Sequence, residues 1–458
     1  MRTLSYFCWI LIGVASLTVP AGGGGCGGGN SPPPSEDRKW QTVETIDGSS
    51  QPAGPPSIAF LSGGKALAAW AQGSSTPTPA LITRICDPAT KLWGSLTIQG
   101  NGTANDVVLP RVAADGADRA FVVWRQKNAS AEGASNVTIF DNNASHYTPP
   151  LRLDTAAEPV LEGPEVASGP GGFTFVAWIQ QAALASDHNV WANFFNPALG
   201  PGGSWAGAQV LDNLSATAQG IGVGSNGGGS AVAAWVQNGD LYTNRFDLLA
   251  GGWQGPEVME PYAGPAFNPA IVMDEDGNAT LVWMQNDGTE QRVRARRFEP
   301  ATGWQAERLL DPGTDSPGFP IRVASGPDGG AFALWATETA GPSKQLWAAR
   351  FLPGTGWEVA VRLAAPPAGI VGVAGLALAV SPSGHALAIW SPIDAALNGD
   401  TFSYRYVSGE GWGTEVPIED AGAPTVIGAA AFDFLEDAIA VFQVDPAGAG
   451  DIAANRFE

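Results

Sequence analysis

The sequence ALAAWAQ at residues 66–72 is an apolar run ending in Trp-x-Gln, and close copies of it recur along the chain. They read AFVVWRQ at 120–126, TFVAWIQ at 174–180, AVAAWVQ at 231–237 and ATLVWMQ at 279–285. A short apolar run rich in β-branched and aromatic residues is typical of a buried β-strand. Its repetition indicates that the chain is built from one repeated unit.

The tryptophan of this run marks one position in eight repeat units, at spacings of 48 to 57 residues. In units 1 to 8 that position holds Trp70, Trp124, Trp178, Trp235, Trp283, Trp335, Trp390 and Phe442. Each unit divides into four strand-like pieces, of which the tryptophan run is the second. Turns rich in proline and glycine, such as residues 299–303, separate the pieces. Because no stretch beyond the leader has a helical period, the sequence predicts an all-β fold.

The first piece of each unit carries a small or β-branched residue at one fixed position. In units 1 to 8 this residue is Ala59, Ala113, Ala167, Gly224, Val272, Ala324, Ala379 and Ala431. Such a column suits the innermost strands of a ring of sheets, where neighbouring sheets converge and space is least. An inner edge also tolerates proline, because it donates no hydrogen bonds to a further strand. Proline opens this piece at Pro56, Pro110, Pro164 and Pro269.

The two ends of the chain complement each other. The sequence stops at Arg456-Phe457-Glu458, after the third piece of unit 8. Residues 40–47, which precede unit 1, match the fourth piece of the other units. A strand from the N-terminus that completes the last blade is how β-propellers close, and closure removes free sheet edges. Residues 39–458 therefore resemble a single β-propeller with eight four-stranded blades, without the Trp-Asp signature of Trp-Asp repeats.

The N-terminus is predicted to be an export signal over residues 1–25, with Arg2 followed by a short apolar run. Processing at residues 19–21 would release a secreted or periplasmic soluble protein. Alternatively, Cys26 and the Gly/Pro-rich tether of residues 26–38 resemble the lipidated cysteine and linker of bacterial lipoproteins. That resemblance implies an envelope protein whose only membrane contact is its lipid anchor. Cys86 is the one cysteine beyond the tether, so no disulfide within the propeller is expected.

Charged residues that interrupt the repeat are the best candidates for a ligand site. At the top of the inner strand most units carry a small residue, whereas units 2, 3 and 6 carry Arg111, Glu165 and Arg322. These charges either line a pocket at the channel mouth or form a structural ion pair. At the start of the third piece, Asp240, Asp400 and Asp451 share one position and either cap loops or contribute to a cationic or polar site.

Two polar residues recur so regularly that a structural role is expected for both. Gln72, Gln126, Gln180, Gln237 and Gln285 follow the tryptophan by two residues and should bond to backbone of a neighbouring blade. The third pieces carry Arg84, Arg245, Arg297, Arg350, Arg405 and Arg456. These arginines are expected to stack on a fourth-strand aromatic ring or to pair with a nearby aspartate.

The sequence favours binding over catalysis. It contains no nucleophile elbow, zinc spacing or phosphate loop, and its histidines fall at unrelated repeat positions. No catalytic residue, metal or cofactor is therefore predicted. A net charge of −21 disfavours nucleic acid as a partner. We expect a monomeric, non-catalytic envelope protein that binds a protein, glycan or small ligand on its loop-rich top face. The alternative is a carbohydrate-active propeller hydrolase or lyase.

Overall fold

The described residues form eight β-sheets; each contains one repeat unit, and the strands of each unit pair antiparallel. The computed structural model describes residues 11–12, 15–17, 38–73, 80–99, 107–127, 133–155, 158–182, 187–200, 202–212, 214–260, 262, 264–313, 316–338, 344–364, 369–396, 398–419, 422–445 and 450–458. The inner strand of each sheet contacts the inner strands of the sheets before and after it, and the eighth contacts the first. The protein is therefore an eight-bladed β-propeller, as the sequence predicts.

The strands of each blade run in chain order from the centre of the ring outwards, except in the last blade. The inner strands of blades 1 to 8 are Ser57–Phe60, Val107–Ala114, Val160–Ser168, Ala218–Ser225, Ala266–Met273, Ser316–Ser325, Ile370–Val380 and Thr425–Phe432. The second strands are Ala66–Gln72, Arg119–Lys127, Thr174–Gln181, Ser230–Gln237, Ala279–Asn286, Ala331–Glu338, Ala386–Asp394 and Ala438–Val444. The third strands are Ala80–Cys86, Gly133–Asp141, His188–Asn196, Asp240–Asp247, Gln291–Glu299, Lys344–Leu352, Phe402–Val407 and Asp451–Phe457.

The outer strand is short and in most blades divided into two pieces. It is Thr97–Ile98 in blade 1, Gly252–Val258 in blade 4 and Glu44–Thr45 in blade 8. The divided outer strands are His146–Tyr147 with Leu151–Arg152, Ser204–Trp205 with Gln209–Val210, Gly303–Trp304 with Arg308–Leu309, Gly356–Trp357 with Val361–Ala364, and Gly411–Trp412 with Val416–Pro417. Within the described residues there is a single 3₁₀ turn, Pro327–Gly329, and no helix long and apolar enough to span a membrane.

The core lies between the blades and is built from the second strands. Their seven tryptophans are at most 1% exposed, and Phe442 fills the eighth position with no exposure. Each buried indole removes on the order of 200 Å² from water, so these side chains supply a large share of the hydrophobic stabilisation. The small residues of the inner strands are buried as well, which confirms their predicted place where the blades converge.

The N-terminal segment closes the ring. Glu44 and Thr45 pair antiparallel with Ala454 and Ala453 in the third strand of blade 8. The Lys39 and Gln41 amides extend this pairing by donating to the carbonyls of residues 458 and 456 at 2.8 and 2.9 Å. The Trp40 ring packs on Phe457 with 5.3 Å between centroids. The last blade thus takes its outer strand from the start of the propeller, as predicted.

The inner strands differ from the prediction at their starts. They begin several residues before Pro110, Pro164 and Pro269, and the pairing with the second strand shifts register at these prolines. A β-bulge leaves one residue unpaired, so proline is accommodated there without loss of a ladder hydrogen bond. Only Pro56 immediately precedes its strand as predicted.

Part of the predicted export signal lies against the inner strands. Leu11–Ile12 pairs antiparallel with Val323–Ala324, and Ala15–Leu17 pairs parallel with Ile58–Phe60. Cys26 and nearly all of the proposed tether lie outside the described residues. The division into leader, tether and propeller therefore stays a prediction.

Deletion of residues 38–47 should destabilise the propeller and cause it to self-associate. The change exposes the edge of Asp451–Phe457, which is a template for pairing with another chain. Thermal unfolding followed by circular dichroism, with light scattering after gel filtration, measures both effects. Deletion of residues 28–37, just before the closing segment, serves as the control. An equal melting temperature for the two deletions would contradict closure by this segment.

Candidate functional site

The recurring glutamines belong to a buried hydrogen-bond framework that joins the second strands to the crossovers between blades. In blade 4 the Trp235 indole Nε1 donates to Gln237 Oε1 at 3.0 Å. The other side of the amide donates to Asp212 at 2.7 Å and to crossover carbonyls at residues 214 and 216. Blades 1, 2, 3 and 5 have the same indole–amide bond. The glutamines are therefore structural, and their carbonyl partners lie in the crossover that enters the same blade.

A buried carboxylate at the end of the outer strand completes this framework, and the sequence analysis missed it. Asp154 accepts the backbone N–H of Ser135 at 2.8 Å, and Glu260 accepts that of Leu241 at 3.2 Å. Burial raises the pKa of Glu260, and also of Asp212. The sequence does carry a signal for this position, because Leu-Asp ends the outer strand at residues 153–154, 211–212 and 310–311.

The recurring arginines connect neighbouring blades, and the predicted aromatic partner was wrong. Arg245 lies over Phe298, and Arg297 over Phe351, at 4.5 and 4.9 Å from the ring centroids. In each pair the ring belongs to the third strand of the following blade, not to a fourth strand. Successive side chains of a strand point to opposite faces, so Phe298 faces its own outer-strand Trp304 while Arg297 faces the next blade. The predicted pairing with aspartate is present at Arg297.

Substitution of Arg297 by alanine should cost roughly 3–5 kcal/mol of unfolding free energy, because it leaves a buried carboxylate without its partner. Arg297 is 2.7 Å from Asp274, and the two side chains are 5% and 1% exposed. Urea unfolding measures the change, and Arg308→Ala, on an exposed outer strand, is the control. A loss no larger than that of the control would show that this pair does not hold the blades together.

Arg111, Glu165 and Arg322 lie within the inner strands and not at their top ends. They pair across the sheet with Val123, Ala177 and Leu334 respectively. Because the strands continue upstream through the bulge, the residues that the sequence places at the channel mouth belong to the channel wall. The three residues therefore lie further inside the inner strands than predicted, but they remain on the strands that surround the centre of the ring.

The three residues stand on the inner strands of blades 2, 3 and 6, and two of them, Arg111 and Glu165, are in contact. Arg111 Nε lies 3.1 Å from Glu165 Oε2, and the two side chains are 16% and 17% exposed. Arg322 donates through Nε to the Leu376 carbonyl and through Nη1 to the Ile321 carbonyl, both at 2.9 Å. The pKa of Arg322 falls to about 10, mainly because the side chain is buried; the charge of Arg111 contributes to this fall and that of Glu165 opposes it. All three residues thus influence one another electrostatically.

A further acid, Glu162, joins this group and was not found from the sequence. Its carboxylate accepts the amides of Gly220 and Ile221 in the next blade, the shortest contact being 2.9 Å. Burial raises the pKa of Glu162, and the charge of Glu165 adds to the shift. Glu162 precedes the bulge, where the repeat alignment does not extend, so no repeat position marked it. We call Arg111, Glu162, Glu165 and Arg322 the channel cluster.

The three aspartates that share one repeat position remain apart. Asp240, Asp400 and Asp451 belong to blades 4, 7 and 8. Burial raises the pKa of Glu260 and of Asp47, and the charges of Asp240 and Asp451 respectively contribute to these shifts. Asp400 instead lines a cleft. Binding by these aspartates stays a prediction. Within the described residues, no group of three or more His, Cys, Asp or Glu side chains could hold a metal ion.

Comparison with known proteins identifies the fold alone. No protein-family model and no curated protein matches the chain. The Dos1 propeller aligns with 92% of this chain and 95% of its own, with a TM-score of 0.56 and 10% identity. The WD40 domain of SCAP from fission yeast aligns over 91% and 98%, with a TM-score of 0.50 and 7% identity.

A carbohydrate-active enzyme is also among the similar structures. Hadza microbial sialidase Hz136 aligns over 62% of this chain with a TM-score of 0.41 and 11% identity. The chain spans 63% of the length of that sialidase. Identities this low do not extend to a shared activity.

Proposed function

We propose that this protein is an exported, non-catalytic binding or scaffold protein that recognises its ligand at the channel cluster and the loops above it. The observation that carries the proposal is the presence of charged side chains on inner strands where other blades have small residues. Arg111, Glu165 and Arg322 replace residues such as Ala270 and Ala377. Charged side chains at a crowded centre are costly to desolvate, so their presence there calls for a reason beyond folding.

The chemistry of the cluster suits a polar ligand. Guanidinium groups offer several hydrogen-bond donors in a fixed plane, which match carboxylate, sulfate or phosphate oxygens and sugar hydroxyls. Glu165 holds the Arg111 side chain in place at 3.1 Å, and the Leu376 carbonyl holds Arg322 at 2.9 Å. Two arginines fixed in this way form a preorganised site for a glycan, a protein segment or a small polar molecule.

Catalysis on a carbohydrate is the second candidate. Glu162 favours it, because burial raises the pKa of this carboxyl and a protonated carboxyl is what a general acid requires. Its oxygens, however, accept the Gly220 and Ile221 amides, which occupies them in structural hydrogen bonds. We therefore rank binding above catalysis.

Substitution of both Arg111 and Arg322 by alanine should weaken ligand binding at least about tenfold, the equivalent of one lost charged hydrogen bond. The assay is an array of neutral, uronic and sulfated glycans, together with a peptide library. Arg308→Ala with Arg362→Ala changes the net charge equally on exposed outer strands and is the matched control. Equal binding by the two double variants would refute the site. Turnover of any glycan that disappears in Glu162→Gln would favour the enzymatic alternative.

We further propose that Cys26 carries a lipid that anchors the protein in a bacterial envelope, with residues 27–38 as the linker. The support is the Gly/Pro-rich stretch between the apolar leader and the first strand of the propeller. Intact-mass analysis of the exported protein should show a chain that begins at residue 26 with added acyl mass. Cys26→Ser should remain unlipidated. A mature chain that begins at residue 22 without lipid would indicate a soluble exported protein instead.

A further inference from the structure

At the junction of blades 6 and 7 the buried framework lacks two of its parts. In other blades a buried carboxylate at the end of the outer strand contacts the third strand. Ala364 stands at this position, because it pairs with Leu346 of the third strand. Pro392 follows Trp390 by two residues and stands at the position of the glutamine. At the junction of blades 3 and 4, by contrast, Gln237 bonds to Asp212 at 2.7 Å.

The missing pair leaves a buried donor without a partner beside an open cleft. Trp390 is 1% exposed, and its Nε1 has no hydrogen-bond partner among the described residues. Trp390 also lines a cleft of about 430 Å³ between the two blades. A buried donor without an acceptor is destabilising, because it has lost its hydrogen bond to water. A ligand that offers an acceptor here would therefore supply the interaction that the glutamines of blades 1 to 5 make internally.

The remaining walls of the cleft are aromatic and acidic. Phe402 and Tyr404 contribute rings, and Asp394, Asp400 and Glu415 contribute carboxylates, while the residues that line it include no lysine or arginine. The Asp394 carboxylate is fixed by the amides of residues 396 and 398 at 2.9 Å, and Glu415 accepts the Tyr404 hydroxyl. A carboxylate attracts a cation through its charge, and an aromatic face attracts a cation through the ring quadrupole.

A cleft of similar size at the junction of blades 8 and 1 shows which of these features are distinctive. It measures about 510 Å³, and Ala80 and Ile82 occupy the positions of Asp400 and Phe402. There Gln72 accepts the Trp70 indole at 2.7 Å, so the donor is satisfied. Volume alone therefore does not mark a site, whereas the free donor, the aromatic rings and the acidic rim occur together between blades 6 and 7.

We propose that the cleft between blades 6 and 7 binds a small organic cation that carries an oxygen acceptor. The cation lies against Phe402 and Tyr404 near Asp400, and the oxygen accepts the hydrogen bond of Trp390 Nε1. The cleft volume falls in the range of small-molecule sites, which suits an amino sugar or a hydroxylated amine. This site shares no residue with the channel cluster, so either proposal can fail without the other.

Calorimetry with glucosamine and with choline tests the proposal on the propeller, and N-acetylglucosamine and tetramethylammonium are the matched probes. The acetylated sugar lacks the positive charge, and tetramethylammonium lacks the acceptor. Both should bind at least about tenfold more weakly than their counterparts, as expected for loss of one specific contact. Binding should also shift the indole N–H resonance of Trp390, identified by its absence in Trp390→Phe. No saturable binding of either cation below about 10 mM would overturn the proposal.

Two variants distinguish this cleft from general attraction to an acidic protein. Asp400→Asn should weaken glucosamine binding at least about fivefold, whereas Asp240→Asn and Asp451→Asn, at the same repeat position in other blades, should leave it unchanged. The double variant Ala364→Asp with Pro392→Gln should restore the framework, satisfy Trp390 and abolish binding while the melting temperature is retained or raised. Since the added aspartate makes the protein more negative, stronger or unchanged binding in that variant would overturn the proposal.

Discussion

Backbone hydrogen bonds between residues 44–45 and 453–454 join the two ends of the propeller by completing blade 8, and the closed ring of eight blades rests on this pairing. Each blade buries one face against the next, so an open ring would expose the apolar faces of both its first and last sheets. It would also leave the edge of Asp451–Phe457 unpaired. Cys86 is the one cysteine in the described residues and is free, so closure relies on backbone pairing, aromatic packing and ion pairs.

Within the closed ring, two kinds of contact repeat from blade to blade. In blades 1 to 5 a glutamine accepts the hydrogen bond of the second-strand indole. Arginines of several third strands stack on a ring of the following blade. Each contact is worth about 1 kcal/mol or less beyond area burial, and repetition makes the sum substantial. Because these contacts repeat, the positions that depart from them are candidates for a function. One departure is the pair Arg111 and Glu165 in the channel wall, where charged side chains become available to a ligand. The other is Ala364 with Pro392 between blades 6 and 7, where space becomes available.

The fold could be predicted because its determinants are periodic. One tryptophan per unit, a small residue on each inner strand and an unmatched outer strand at residues 40–47 specify blade number and closure together. The candidate sites were harder because they depend on three-dimensional proximity. Repeat alignment found Arg111, Glu165 and Arg322 but misjudged their depth, since the recurring prolines indicate strand starts in the sequence and lie at the bulges in the structure. It missed Glu162 for the same reason. An alanine in place of a carboxylate, as at Ala364, indicates a cleft only when the position of the neighbouring blade is known.

Hydrogen–deuterium exchange of the third strands tests ring closure most directly. In a closed ring, the backbone amides of residues 451–457 should exchange as slowly as those of residues 240–247, the corresponding strand of blade 4. Both strands pair with a neighbouring strand on each side. Fast exchange of residues 451–457 beside a protected blade 4 would show that the last blade lacks its outer strand and that the ring is open.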